Sequence, residues 1–88
     1  MNPTEQLISE LTAWLDSALL RGLHQLRLDD LPELERLIQT AERLGMDTLV
    51  KLLKEQTDYI RQYTLEQLEP NDWIGSFFRL AAYAKMAA

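Results

Sequence analysis

The sequence predicts an all-α fold, a small antiparallel bundle of about four helices in a single domain over residues 1–88. Three observations predict it. Apolar residues recur at three- and four-residue spacing through most of the chain, which is the period of one helical face. Start and stop residues punctuate that pattern, with Asn2-Pro3 at its beginning and Gly22, Gly45 and Pro70 at its breaks. A chain of 88 residues is too short for two domains, and its 47% hydrophobic content is that of a globular chain rather than a disordered one.

The first helix is expected over 3–21. Asn2 can cap it, Pro3 suits its first position, and Glu5 is placed for a capping box. Leu7, Ile8, Leu11, Trp14, Leu15, Ala18 and Leu19 form its apolar face. Arg21 falls in the last turn, and Gly22 follows as a left-handed stop. Residues 23–28, Leu-His-Gln-Leu-Arg-Leu, alternate like a strand. A lone strand has no partner here, so the segment reads as a connector whose leucines enter the core.

The second helix is expected over 31–44, capped by Asp29 or Asp30, with Pro32 in its first turn and Glu33 completing a box with Asp30. Its apolar face is Leu31, Leu34, Leu37, Ile38, Ala41 and Leu44. Gly45 ends it, Met46 fits the apolar position of a Schellman stop, and Asp47 can cap a third helix over 48–68. So short a link forces an antiparallel hairpin. The third helix turns Leu49, Leu52, Leu53, Gln56, Ile60, Tyr63 and Gln67 inward, with Lys54 and Asp58 spaced to pair outside. Pro70 breaks the pattern, and Asn71 or Asp72 can start a fourth helix over 72–87. Trp73, Ile74, Phe77, Phe78, Leu80, Ala81, Ala82, Tyr83 and Met86 cover nearly its whole circumference, leaving Ser76, Arg79 and Lys85 as polar positions. A helix apolar all round is buried on several sides or docks on something else.

Composition narrows the chemistry. The chain has no cysteine, so disulfides and thiolate metal sites are excluded. The first residues have no Lys or Arg before their apolar run, which argues against a secretory signal. No run of about 20 uncharged apolar residues exists, so no membrane-spanning helix and a cytoplasmic location are expected. The net charge is −5, with eight acids against four bases in residues 1–44. Such a chain repels phosphate backbones, and nucleic acid is not an expected partner.

Catalytic and metal-binding candidates are few. His24 is the only histidine, and a general base needs a nucleophile or orienting group placed beside it. Ser9, Ser17 and Ser76 fall within predicted helices, none on a glycine elbow. Asp29, Asp30, Glu33 and Glu35 are the densest acidic cluster, and a helix start accounts for them through capping and the macrodipole. No calcium loop or zinc spacing is present. No catalytic residue, cofactor or metal ligand is therefore expected.

The stretch Arg21 to Ile60, RGLHQLRLDDLPELERLIQTAERLGMDTLVKLLKEQTDYI, combines a Gly-Leu-x-x-Leu connector, a Leu-rich helix ending in Leu-Gly and a Leu-x-x-Leu-Leu helix. Together with the ending Leu80-Ala81-Ala82-Tyr83-Ala84, it resembles the helical region that accompanies the zinc motif in bacterial SWIM-type zinc-finger proteins. The Cys and His pairs of that motif are missing, so the resemblance implies a helical accessory module and carries over no metal or nucleic-acid role.

The remaining signal is aromatic. Tyr59, Tyr63, Trp73, Phe77, Phe78 and Tyr83 gather at the end of the third helix and along the fourth. They either complete the thin core of a small chain or form an interaction surface for another protein or a second copy, since rings and Met favour interfaces. The leading expectation is a non-enzymatic protein-interaction module. The alternatives are a small enzyme or metal-binding protein whose site the sequence hides, and a nucleic-acid accessory factor.

Overall fold

The computed structural model describes residues 2–22, 27–66 and 71–87, with the backbone alone at 63–66 and 71–73. Four α-helices carry the chain: α1 (Pro3–Arg21), α2 (Leu31–Arg43), α3 (Asp47–Glu66) and α4 (Asn71–Ala87). A 3₁₀ turn over Leu28–Asp30 leads into α2. Among the described residues there is no strand. The expected small all-α bundle is what forms, measuring 38 × 22 × 20 Å.

Neighbouring helices run antiparallel, as their side-chain pairs show. Between α1 and α2, Arg21 reaches Asp30 while Glu10 meets Arg36. Lys54 reaches Glu42 and Arg61 reaches Glu35 between α2 and α3. In each case the numbers rise on one helix as they fall on the next. The α2–α3 hairpin makes the most extensive contact, α3 packs on α4, and α1 closes the bundle against α4 and α2. One core fills the centre, with Leu7, Leu11, Leu34, Leu37, Leu53 and Phe77 among its fully buried members.

The local signals act largely as the sequence implies. Asn2 Oδ1 accepts from the Glu5 amide at 2.8 Å, capping α1. Gly22 ends α1 with a positive φ of 93°, but its ψ of 133° lies outside the left-handed helical region expected of it. At the end of α2, Gly45 has φ 71°, its amide donates to Glu42 O at 3.1 Å, and the Met46 amide donates to Ala41 O at 3.0 Å. Those two bonds are the Schellman pair, and Met46 packs half-buried on the core as its apolar partner should.

Other expectations fail, some because a tertiary partner competes for the side chain and some because a different local partner or a shifted helix boundary takes its place. Asp30 gives no cap to α2; its carboxylate turns back to the Arg27 amide and the Arg21 guanidinium, each at 2.8 Å. Glu33 correspondingly pairs with Arg36 at 2.6 Å. Asp47 lies inside the first turn of α3 rather than before it, where its charge still suits the helix dipole. Lys54 and Asp58 do not pair with each other, because Lys54 crosses to Glu42 and Asp58 meets Arg61. Leu28 is 40% exposed, since the 3₁₀ turn starts there and Leu31 takes the core position. Leu19 is 50% exposed, at the edge of the α1 face. The rest of the connector, 23–26, lies outside the described residues, as do Gln67, Leu68 and Pro70.

One polar contact is sealed between α3 and α4. Gln56 is fully buried, and its Oε1 accepts from Ser76 Oγ at a long 3.4 Å. Its amide nitrogen has no partner. Turning the amide end for end would only move the orphan from nitrogen to oxygen, so one polar atom stays unpaired in either orientation.

Two stability predictions follow from these features. Gly45→Val should cost about 1–2 kcal/mol through backbone strain alone, because the space around the glycine is open. Gly45→Asn, which tolerates this conformation, should cost less, and equal urea midpoints for the two would contradict the left-handed stop. The double variant Gln56→Met with Ser76→Ala should gain about 1 kcal/mol by removing the orphan amide at similar volume. A lowered midpoint would mean that the amide is fully bonded in solution.

Candidate functional site

Large apolar side chains are exposed in two places, Leu19, Leu20 and Leu28 around the end of α1 and Phe78 and Met86 on the outer side of α4, and the second is the one that carries an aromatic ring. Phe77, Leu80 and Ala84 point inward and are buried, with the Phe77 ring 6.4 Å from that of Trp14 on α1. An α-helix turns about 100° per residue, so the neighbour of an inward Phe cannot also point inward. Phe78 is 55% exposed, its ring edge-on to Phe77 at 5.9 Å. Ala82 and Met86 continue its line one and two turns on, and Met86 is 87% exposed. Together they make an apolar ridge facing away from the core.

The six aromatic positions expected at an interaction surface separate accordingly. Phe77 is a core residue with no exposure, which corrects its place in the expected surface. Tyr59 and Tyr83 are half-buried and packed against the core. The side chains of Tyr63 and Trp73 lie outside the described residues, so Phe78 is the one ring among those described that projects outward. Ala82 and Met86, expected only as part of the apolar circumference of the fourth helix, belong to the exposed line although neither is aromatic. Their shared helical phase with Phe78 was the signal that would have found them. Ser76, expected among the polar positions, is instead the buried donor to Gln56.

The other sequence candidates do not converge. His24 lies outside the described residues. Ser9 and Ser17 are exposed on α1. Three members of the acidic cluster have cationic partners: Asp30 with Arg21, Glu33 with Arg36 and Glu35 with Arg61. The Arg36 hydrogen bond holds the Glu33 carboxyl below its usual range, and the same contact raises Arg36. Among the described residues no three of His, Cys, Asp and Glu gather to hold a metal, and no helix is long and apolar enough to cross a membrane.

Charge is distributed unevenly over the helix seams. Ion pairs cross from α1 to α2 and its leading turn, from α2 to α3, and from α3 to α4, where Arg79 meets Glu55. Among the described residues none crosses the α1–α4 seam. Beside that seam a shallow groove of about 440 Å³ runs along α1, lined by Ser9, Thr12 and Ala13 with Glu5 and Asp16, and closed by Ala87 of α4. The ridge flank carries Lys85 and no acid, whereas the groove carries two acids and no base.

No family model, no characterised protein and no solved structure matches this chain.

Truncating the adjacent rings should separate their roles. Phe77→Ala should lower stability by about 3–5 kcal/mol, as buried Phe truncations do. Phe78→Ala should cost about 1 kcal/mol, mainly the lost edge-to-face contact. Chemical denaturation of both variants checks this, and equal losses would mean that Phe78 is also a core residue.

Proposed function

We propose that the chain is a non-enzymatic protein-interaction module that docks through the outer side of α4 and the adjoining flank of α1. The observation that carries this reading is the ridge itself, with Phe78 at 55% and Met86 at 87% exposure in line with Ala82. A small domain with a thin core has every reason to turn such groups inward, and an exposed apolar line on a helix is the usual form of a docking surface. The resemblance of residues 21–60 to the helical region beside the SWIM-type zinc motif points the same way, toward an accessory role. A cytoplasmic setting suits the cysteine-free composition, since secreted domains this small ordinarily lean on disulfides.

Site-specific photocrosslinking in the source cell tests the reading. A photoreactive residue at Ala82 should yield discrete crosslinked products, and the same group at Gln39, exposed on α2, should yield none. Absence of products at Ala82, or identical patterns from the two positions, would overturn it.

A further inference from the structure

The α1–α4 face carries two unlike halves side by side. One is the ridge of Phe78, Ala82 and Met86 with Lys85 on its flank; the other is the groove on α1 with Glu5 and Asp16. Their dimensions agree. Eight residues of helix put Met86 about 12 Å beyond Phe78, and the groove residues from Glu5 to Asp16 span about 16 Å. Ser9 and Ala13, one turn apart in the groove, are small enough to admit large side chains between them. Cation and carboxylate lie on opposite halves, so a surface that matches this face in both shape and charge is the face itself.

The register also agrees. Helix α4 runs antiparallel to α1, with Phe77 opposite Trp14 and Ala87 beside the first half of α1. Lys85, eight residues past Phe77, is therefore about 12 Å further along and level with the Glu5 end of α1. A two-fold axis parallel to the helices would lay α4 of each copy over α1 of the other at the same height. Phe78 then lies level with Ala13 toward the Asp16 end of the groove, Ala82 lies level with its middle, and Lys85 faces Glu5 of the second copy. Closed two-fold pairing makes each contact twice.

Resting on the docking role of this face, we propose that its occupant is a second copy of the same chain, paired face to face so that the α4 ridge of each copy seats in the α1 groove of the other. Among the described residues, the seams within one copy are tied by ion pairs everywhere but at α1–α4. In the dimer Lys85 and Glu5 find each other between copies.

Sedimentation equilibrium on the full chain tests this, with thermal melts to confirm that each variant is folded. Wild type should be dimeric at micromolar concentration. Lys85→Glu and Glu5→Lys should each weaken self-association by about tenfold or more, because each sets like charges together twice per dimer. Mixing the two variants should restore pairing, since both cross-contacts are then between opposite charges. Ala82→Arg, at an exposed position in the centre of the ridge, should abolish the dimer while leaving the chain folded, its melting temperature falling only to the concentration-independent value of the monomer, and it serves if Glu5→Lys disturbs the first turn of α1. A monomeric wild type, a mixture that fails to pair, or an unaffected Ala82→Arg would each overturn the second-copy proposal. If wild type is monomeric while crosslinks at Ala82 capture another protein, the docking reading stands and the second copy falls. If neither contact is found, both fall.

Discussion

The period of the α-helix is the constraint on which the character of this surface depends. Once Phe77 is committed to the core against Trp14, the rotation of about 100° per residue leaves Phe78 no inward position. Ala82 and Met86 are then fixed in the same outward line. The exposure of α4 is therefore no accident of one side chain. Shifting the helix by a residue to hide Phe78 would expose Phe77 and break the buried line of Leu80 and Ala84. A helix with apolar residues on nearly every side cannot bury all of them in one small bundle.

Ion pairs set the register of the other helices more than they stabilise the fold. They lie at the surface with at least one side chain well exposed, and pairs of that kind contribute about 0–1 kcal/mol. Their positions still exclude alternatives. Arg36 holds Glu33 of its own helix and Glu10 of α1 at once, so sliding α1 along α2 would break the contact with Glu10. The same logic joins α3 to α2 through Lys54 and Arg61. At the α1–α4 seam, apolar packing of Phe77 on Trp14 takes over that task. Glu5 in the first turn of α1 and Lys85 in the last turn of α4 suit their helix dipoles, but among the described residues neither they nor Asp16 has an ionic partner inside one copy.

The parts of the fold legible in the sequence are those settled within a few residues. Asn2 caps α1 and Gly45 ends α2 because the groups they satisfy lie within one turn, so spacing alone reveals them. Leu34, Leu37, Leu53 and Gln56 fall on their predicted faces because helical phase is a local property. What was illegible depended on residues brought near by folding. Asp30 fits a cap in sequence, yet Arg21, nine positions away, competes for it. Lys54 has Asp58 at the right spacing but meets Glu42 across the hairpin. The candidate site was legible as a helix and not as a face. Residue type suggested rings, whereas the side turned outward is decided by which ring the core takes.

The buried pair of Gln56 and Ser76 bears on why the outward ridge is tolerated. Two core positions between α3 and α4 are given to polar groups with one atom left unbonded, while Phe78 and Met86 stand in water. For stability alone the opposite distribution would serve better, since burying a Phe or Met contributes about 1.5–3 kcal/mol and an orphan amide costs about 1–3 kcal/mol. The polar contact does supply orientation. Rotating α4 so that Phe78 entered the core would carry Ser76 off Gln56 and leave that amide with no bond at all. A penalty on the rotated state thus keeps the ridge outside. The arrangement is coherent if selection has acted on the outer face of α4, and it is wasteful if the helix served the core alone.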